Sequence, residues 1–186
     1  MTSGTEGPDR LAAVPVAHIA MVGLMASGKT SVGRVVADRL RRPLIDVDEV
    51  IEDQTGMTVR ELWERGGEAA YRPLERDAVV HALSGPGPDV LATPAGAVLD
   101  HLVTEAFAAA DVFVVWLRAR PEVLAEQAES GGHRPLLGDD PVTTLRTMRA
   151  ERADDYAAIA DLTLPIEDRT PEDLADAVID ALARLS

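Results

Sequence analysis

The segment Gly23-Leu24-Met25-Ala26-Ser27-Gly28-Lys29-Thr30 constrains this chain more than any other, because it matches the phosphate-binding pattern G-x-x-x-x-G-K-[ST] in full. Lys29 is the only lysine present, and every other basic side chain is an arginine or a histidine. The flanks agree with the motif. Ala17 to Val22 reads as a buried strand and Ser31 to Arg41 as a helix, so the loop sits in a strand-turn-helix context.

Each residue type in the loop has a physical purpose. Gly23 and Gly28 allow the backbone to curl so that successive N–H groups converge on phosphate oxygens, and the helix that follows adds the positive end of its dipole. Lys29 is placed to reach the β- and γ-phosphates, and Thr30 to offer its hydroxyl to Mg²⁺. The expected nucleotide site therefore comprises Gly23, Ala26, Ser27, Gly28, Lys29, Thr30 and Ser31, with ATP and Mg²⁺ as its ligands.

The rest of the chain alternates strand and helix. Apolar runs predict strands near 17–22, 43–46, 89–92, 112–117 and 161–165, and helical periodicity predicts helices near 29–41, 58–65, 68–83, 98–109, 121–128, 141–158 and 171–185. Five short apolar strands separated by helices imply an α/β fold, a parallel sheet covered on both faces with its ligand at the carboxyl ends of the strands. At 186 residues the chain suits one domain, expected over 17–186 behind a disordered tail at 1–16. A net charge of −14 argues against a nucleic-acid surface, and no apolar run is long enough to span a membrane. The absence of cysteine and of a signal-peptide pattern at the N-terminus favours a cytoplasmic protein. A monomer is expected. His18, His81 and His101 have no metal-ligand partners at useful spacing and read as structural.

A second set of motifs follows the loop. Asp46-Val47-Asp48 ends the second strand, and Gly67-Glu68-Ala69-Ala70-Tyr71-Arg72-Pro73-Leu74-Glu75 comes after it. Farther on stand Arg134-Pro135-Leu136-Leu137, Arg152 with Tyr156, and Asp168-Arg169-Thr170-Pro171-Glu172. In order and spacing, from about Ala17 to Leu185, these resemble the shikimate kinases: their Asp-x-Asp pair, their G-E-x-x-[FY]-R-x-x-E, their lid, the arginine helix after it and the turn beside the adenine. The resemblance implies a phosphate-loop kinase of the nucleoside-monophosphate-kinase-like architecture, with a helical substrate-binding segment at about 47–83 and a mobile lid at about 129–139.

The resemblance also implies particular assignments, several with a chemical rationale of their own. If the second strand extends through them, Asp46 and Asp48 face the same side and enter the cleft together. Asp46 then suits a Mg²⁺-bound water, and Asp48 grips the substrate hydroxyls and orients, or helps deprotonate, the attacking one. An acidic N-cap for the helix after Val47 is the structural alternative for Asp48. Arg72 and Arg152 would clamp the substrate carboxylate, since guanidinium forks pair bidentately with planar carboxylates. Their alternatives are a surface pair with Glu75 and a solvated helix face. Arg134 would bring lid charge to the transferred phosphoryl group, and Gln127 and Pro171 would flank the adenine.

Two departures stand out. Where the family has Gly-Gly-Gly, this chain has Pro94-Ala95-Gly96, so only Gly96 survives. Ala95 and Gly96 are still expected to line the substrate site. Pro94 lacks an N–H and Ala95 disfavours positive φ, which predicts either weakened shikimate binding or a reshaped pocket. Gln127 stands where the family usually stacks an arginine on adenine, which predicts modestly weaker nucleotide binding.

Three readings stay open on this basis. One is a shikimate kinase transferring the γ-phosphoryl of ATP to the 3-hydroxyl of shikimate. Another is a paralogous kinase for a different polyhydroxylated ring or sugar acid. The third is a non-catalytic nucleotide-binding module, disfavoured by the retention of Lys29, Thr30, Asp46 and Arg134.

Overall fold

Strand β1, His18–Val22, is wholly buried and forms the axis of the molecule. In the computed structural model, which describes residues 16–109, 111–130 and 137–185, it pairs in parallel with β3, Asp89–Ala92, on one side and β4, Val112–Arg118, on the other. The short β2, Leu44–Asp46, adds outside β3, and β5, Leu162–Pro165, outside β4. The order is β2-β3-β1-β4-β5, with every pairing parallel. Strands buried on both faces need continuous apolar sequence, which Ile19-Ala20-Met21-Val22 and Val112 to Leu117 supply. This is the expected α/β fold.

The helices are placed by their caps. Helix α1, Lys29–Leu40, starts from Gly28 at φ 85 and buries Val32, Gly33, Val36, Ala37 and Leu40 against the sheet. Helix α2, Val47–Thr55, follows β2 without a connecting loop. Helix α3, Val59–Leu83, opens with a capping box between Thr58 and Glu61 and breaks at Gly67, whose φ of 62 and ψ of −160 are not helical. The expected helices at 58–65 and 68–83 are thus its two limbs. A 3₁₀ turn at Ala97–Leu99 precedes α4, His101–Phe107, so the helix expected at 98–109 starts later, where Asp100 caps it. Helices α5 (Pro121–Ser130), α6 (Pro141–Ile159) and α7 (Pro171–Ala183) complete the chain.

Parallel order puts the carboxyl ends of all five strands on one edge, and the loop after β1 and the turn after β3 meet there. His18 lies at the opposite edge, fully buried, with Nδ1 2.8 Å from the Asp89 carboxylate. Residues 1–15 of the expected tail, and 131–136 within the expected lid, lie outside the described residues. Among the described residues no helix is long and apolar enough to cross a membrane.

Candidate active site

The loop from Gly23 to Gly28 is shaped by three positive-φ residues, Gly23 at 142, Ala26 at 63 and Gly28 at 85. At Gly23 a side chain is excluded twice over, because a Cβ would also meet the carbonyl oxygen of Leu117 at 2.5 Å. Lys29 Nζ donates to the carbonyls of Gly23 and Leu24, both at 2.9 Å, and so braces the loop from inside. Ser27 is buried. Ala26, Gly28, Lys29, Thr30 and Ser31 line a polar cavity of about 120 Å³ together with Asp46 and Asp48.

Asp46 and Asp48 reach this cavity by a different route from the one expected. The strand stops at Asp46 and α2 begins at Val47, so the two do not alternate along an extended strand. Nor is Asp48 the cap: the N-cap is Asp46, whose Oδ1 accepts the backbone N–H of Asp48 at 3.1 Å. The first helical turn brings both carboxylates to the cleft. The other oxygen of Asp46 accepts a hydrogen bond from the Thr30 hydroxyl at 2.7 Å. A hydroxyl and a carboxylate oxygen in a polar cavity fit a hard divalent cation that completes its shell with phosphate oxygens and water.

Asp48 also lines a second, larger cavity of about 290 Å³. Tyr71, buried on α3, donates its hydroxyl to Asp48 Oδ1. Burial pushes the Asp48 carboxyl above its ordinary range, while the Tyr71 hydrogen bond pulls it down; Asp46 and Glu52 add to the rise and Lys29 opposes it. The Tyr71 phenol is raised by burial and by Asp48, so it remains a donor.

Arg72 and Arg152 line the same cavity. Arg72 donates through Nη1 to Glu75 Oε2 at 2.6 Å and through Nε to Glu68 Oε1 at 2.8 Å, and lies 5.7 Å from the centre of the Trp63 ring. Glu75 is only 2% exposed, which makes this more than a surface pair. Burial raises the Glu75 carboxyl, with Arg72 pulling the other way. Arg152 is 6% exposed rather than solvated; its Nη1 donates to the Ala95 carbonyl at 3.2 Å, and Tyr156 donates to the same oxygen at 2.6 Å. Tyr156 in turn stacks on Trp116, their ring centres 5.6 Å apart.

The turn Pro94-Ala95-Gly96 separates the arginines. The positive-φ residues other than glycine, among the described residues, are Ala26, Arg41 and Asp168, so neither Pro94 nor Ala95 adopts the left-handed backbone that would require glycine. Gly96 itself has φ −94, and what requires glycine there is space, because a Cβ would overlap the Arg72 guanidinium. The backbone path through Pro94 and Ala95 thus needs no glycine.

The remaining expected residues are more dispersed. Gln127 is exposed on α5 and Pro171 occupies the first turn of α7, on helices that leave adjacent strands. Arg134 lies outside the described residues. Sequence reasoning gave no part to Trp63, Tyr71 or Glu68 as wall residues, nor to Tyr156 as a donor to Ala95; the spacing of Glu68 at i−4 from Arg72 on one helix is the signal that could have found that carboxylate.

A family model described as shikimate kinase matches residues 25–183. The chain belongs to the shikimate kinase family. It is 42% identical over 167 residues to the shikimate kinase of Mesorhizobium japonicum, covering 89% of this chain and 81% of that one. With the shikimate kinase of Symbiobacterium thermophilum it shares 39% identity over 168 residues, 89% of this chain and 95% of the other. The solved shikimate kinase from Acinetobacter baumannii in complex with shikimate superposes with a TM-score of 0.88 at 29% identity, covering 95% and 98% of the two chains. Membership makes the chain an ATP-dependent kinase.

Proposed function

We propose that the chain is a shikimate kinase that transfers the γ-phosphoryl of ATP to the 3-hydroxyl of shikimate, yielding shikimate 3-phosphate and ADP. The observation that carries the reading is that Asp48 lines both cavities, one floored by the phosphate loop and one walled by two arginines. An acceptor hydroxyl held by Asp48 would thus face the phosphate cavity while a carboxylate on the same molecule faced Arg72 and Arg152.

In this reading the loop amides and Lys29 bind the triphosphate and stabilise charge as it builds up. Mg²⁺ bound at Thr30 and Asp46 would supply further positive charge to the phosphate oxygens. Asp48 Oδ2 accepts the hydrogen bond of the attacking hydroxyl and takes its proton as the oxygen bonds to phosphorus and ADP departs. Tyr71 keeps Oδ1 occupied, so one carboxylate oxygen is left for the substrate. Arg72 and Arg152 fix the ring by its carboxylate, which turns the transfer into a positioned, near-unimolecular step. Arg134 is proposed to add lid charge, and Gln127 and Pro171 to flank the adenine. A monomer in the cytoplasm, in contact with neither nucleic acid nor membrane, fits the strongly acidic, cysteine-free composition.

Coupled ADP release from MgATP with shikimate, quinate, gluconate or no acceptor tests the function. Turnover that requires shikimate is the expected result. Turnover with another acceptor alone, or none at all, would overturn it.

A further inference from the structure

Arg72 is held by two carboxylates of opposite character. Glu75, 2% exposed, takes Nη1. Glu68, whose side chain is 59% exposed, takes the remaining edge: its Oε1 lies 2.8 Å from Nε and 2.7 Å from Nη2. That edge, with two parallel N–H donors, is the face a guanidinium presents to a planar carboxylate ligand. Glu68 lines the larger cavity along with Arg72 and Arg152, so the contact lies in the ligand's own space. It also follows Gly67, where the helix breaks, and begins the second limb of α3.

We propose that Glu68 is an internal competitor for the substrate carboxylate: it occupies the Nε/Nη2 edge of Arg72 and must surrender it when a carboxylate ligand binds. The inference rests on the reading of Arg72 as a carboxylate-binding residue. Glu75, buried and bonded to Nη1, keeps the guanidinium oriented during the exchange, whereas Glu68 can swing into water at little cost. An exposed i,i+4 pair is weakly held, which makes it displaceable. The consequence is a threshold. A simple anion gains little by replacing one carboxylate with another, while a ligand that adds contacts to Arg152 and Asp48 gains enough to displace Glu68.

The test is calorimetric titration of wild-type protein, Glu68→Gln and Glu68→Ala with shikimate and with cyclohex-1-ene-1-carboxylate, which keeps the carboxylate and lacks the three hydroxyls. Both variants should bind both ligands more tightly, by about two- to fivefold. In turnover assays the factor should appear in the shikimate KM rather than in kcat, with the ATP KM unmoved. Unchanged affinity would overturn the proposal and leave Glu68 as a helix-stabilising pair, and weaker affinity would overturn it by making Glu68 a support for Arg72. Binding of neither probe to any of the three proteins would overturn it as well, because a released arginine edge must take a carboxylate. If the functional reading is what fails, shikimate will bind no better than its deoxy analogue and will not be turned over, while the tightening in the Glu68 variants persists.

Discussion

Gly96 lies directly beneath the guanidinium of Arg72, so close that a single methyl group at Gly96 would occupy the space of Nη1, Nη2 and Cζ. Two elements distant in sequence, the turn after β3 and the middle of α3, are thereby locked in register at the wall of the larger cavity.

Replacing Gly96 by alanine should therefore act on ligand binding through Arg72. The group in the way is the far end of a flexible side chain, so the arginine moves and the backbone stays. Displacing a clamp by an ångström costs about a hundredfold in reactions that depend on positioning. The expected outcome for Gly96→Ala is a loss of about that size in kcat/KM for shikimate, with ATP affinity close to wild type. Retained shikimate kinetics would show that Arg72 does not clamp the substrate.

At Ala95 the opposite substitution is informative. The residue keeps negative φ, so glycine would relieve no strain and would only widen the unfolded ensemble. Ala95→Gly, which restores a family glycine, should lower stability by about 0.4 to 1 kcal/mol in denaturant titrations. Shikimate turnover should stay within about threefold, less than the loss of one net hydrogen bond would cost. A large gain in turnover would mean that alanine obstructs the pocket.

Most of the architecture was legible because the signals are local. Continuous apolar strands, the loop motif and the cap residues each act within a few positions, and all five strands and the break at Gly67 followed from them. Helix α2 was missing from the helices read by periodicity and entered only as the alternative for Asp48 and within the helical segment implied at about 47–83, although Asp46 as N-cap, acidic residues in the first turn and Gly56 as C-cap spell it out. The same acidic residues also read as site chemistry, and a strand running into a helix with no loop leaves no punctuation between them. The backbone of the turn at Pro94-Ala95 was not legible for another reason. Residue identity limits φ but does not reveal which φ the fold demands, so sequence alone could not say that the path needs glycine only at Gly96, where space requires it. Glu68 and Tyr71 lie inside the motif Gly67 to Glu75, yet their hydrogen bonds depend on helix phase and on partners such as Asp48 that sequence alone does not juxtapose.

Glu75 should leave a signature in the pH dependence of stability. Burial is the largest influence on its carboxyl and raises it, and Arg72 opposes without cancelling. A folded-state value above the unfolded one means that its contribution is fully present below the ordinary carboxylate range and is lost as pH rises through the raised value. Glu75→Gln removes this titration along with the charge. The melting temperature of wild type relative to Glu75→Gln should therefore fall as pH is raised from about 4.5 towards neutrality. A difference that grows in favour of wild type over that interval would show that the ion pair with Arg72 outweighs burial.

Asp46 carries two separable duties, because one oxygen caps α2 through the Asp48 amide and the other accepts from Thr30. Asparagine caps helices about as well as aspartate but is a poor partner for a divalent cation, so Asp46→Asn removes one duty and keeps the other. Its stability should match wild type, while the Mg²⁺ concentration needed for half-maximal turnover should rise by about tenfold or more. Asp46→Ala loses the cap as well and should be less stable by about 1 kcal/mol, with a similar demand for Mg²⁺. Thr30→Val, which keeps the shape of the side chain and deletes the hydroxyl, should move the Mg²⁺ requirement in the same direction without touching the cap. If Asp46→Asn and Thr30→Val respond to Mg²⁺ as wild type does, the hydrogen bond between these residues serves only to join α1 to the end of β2, and the cation must be held without them.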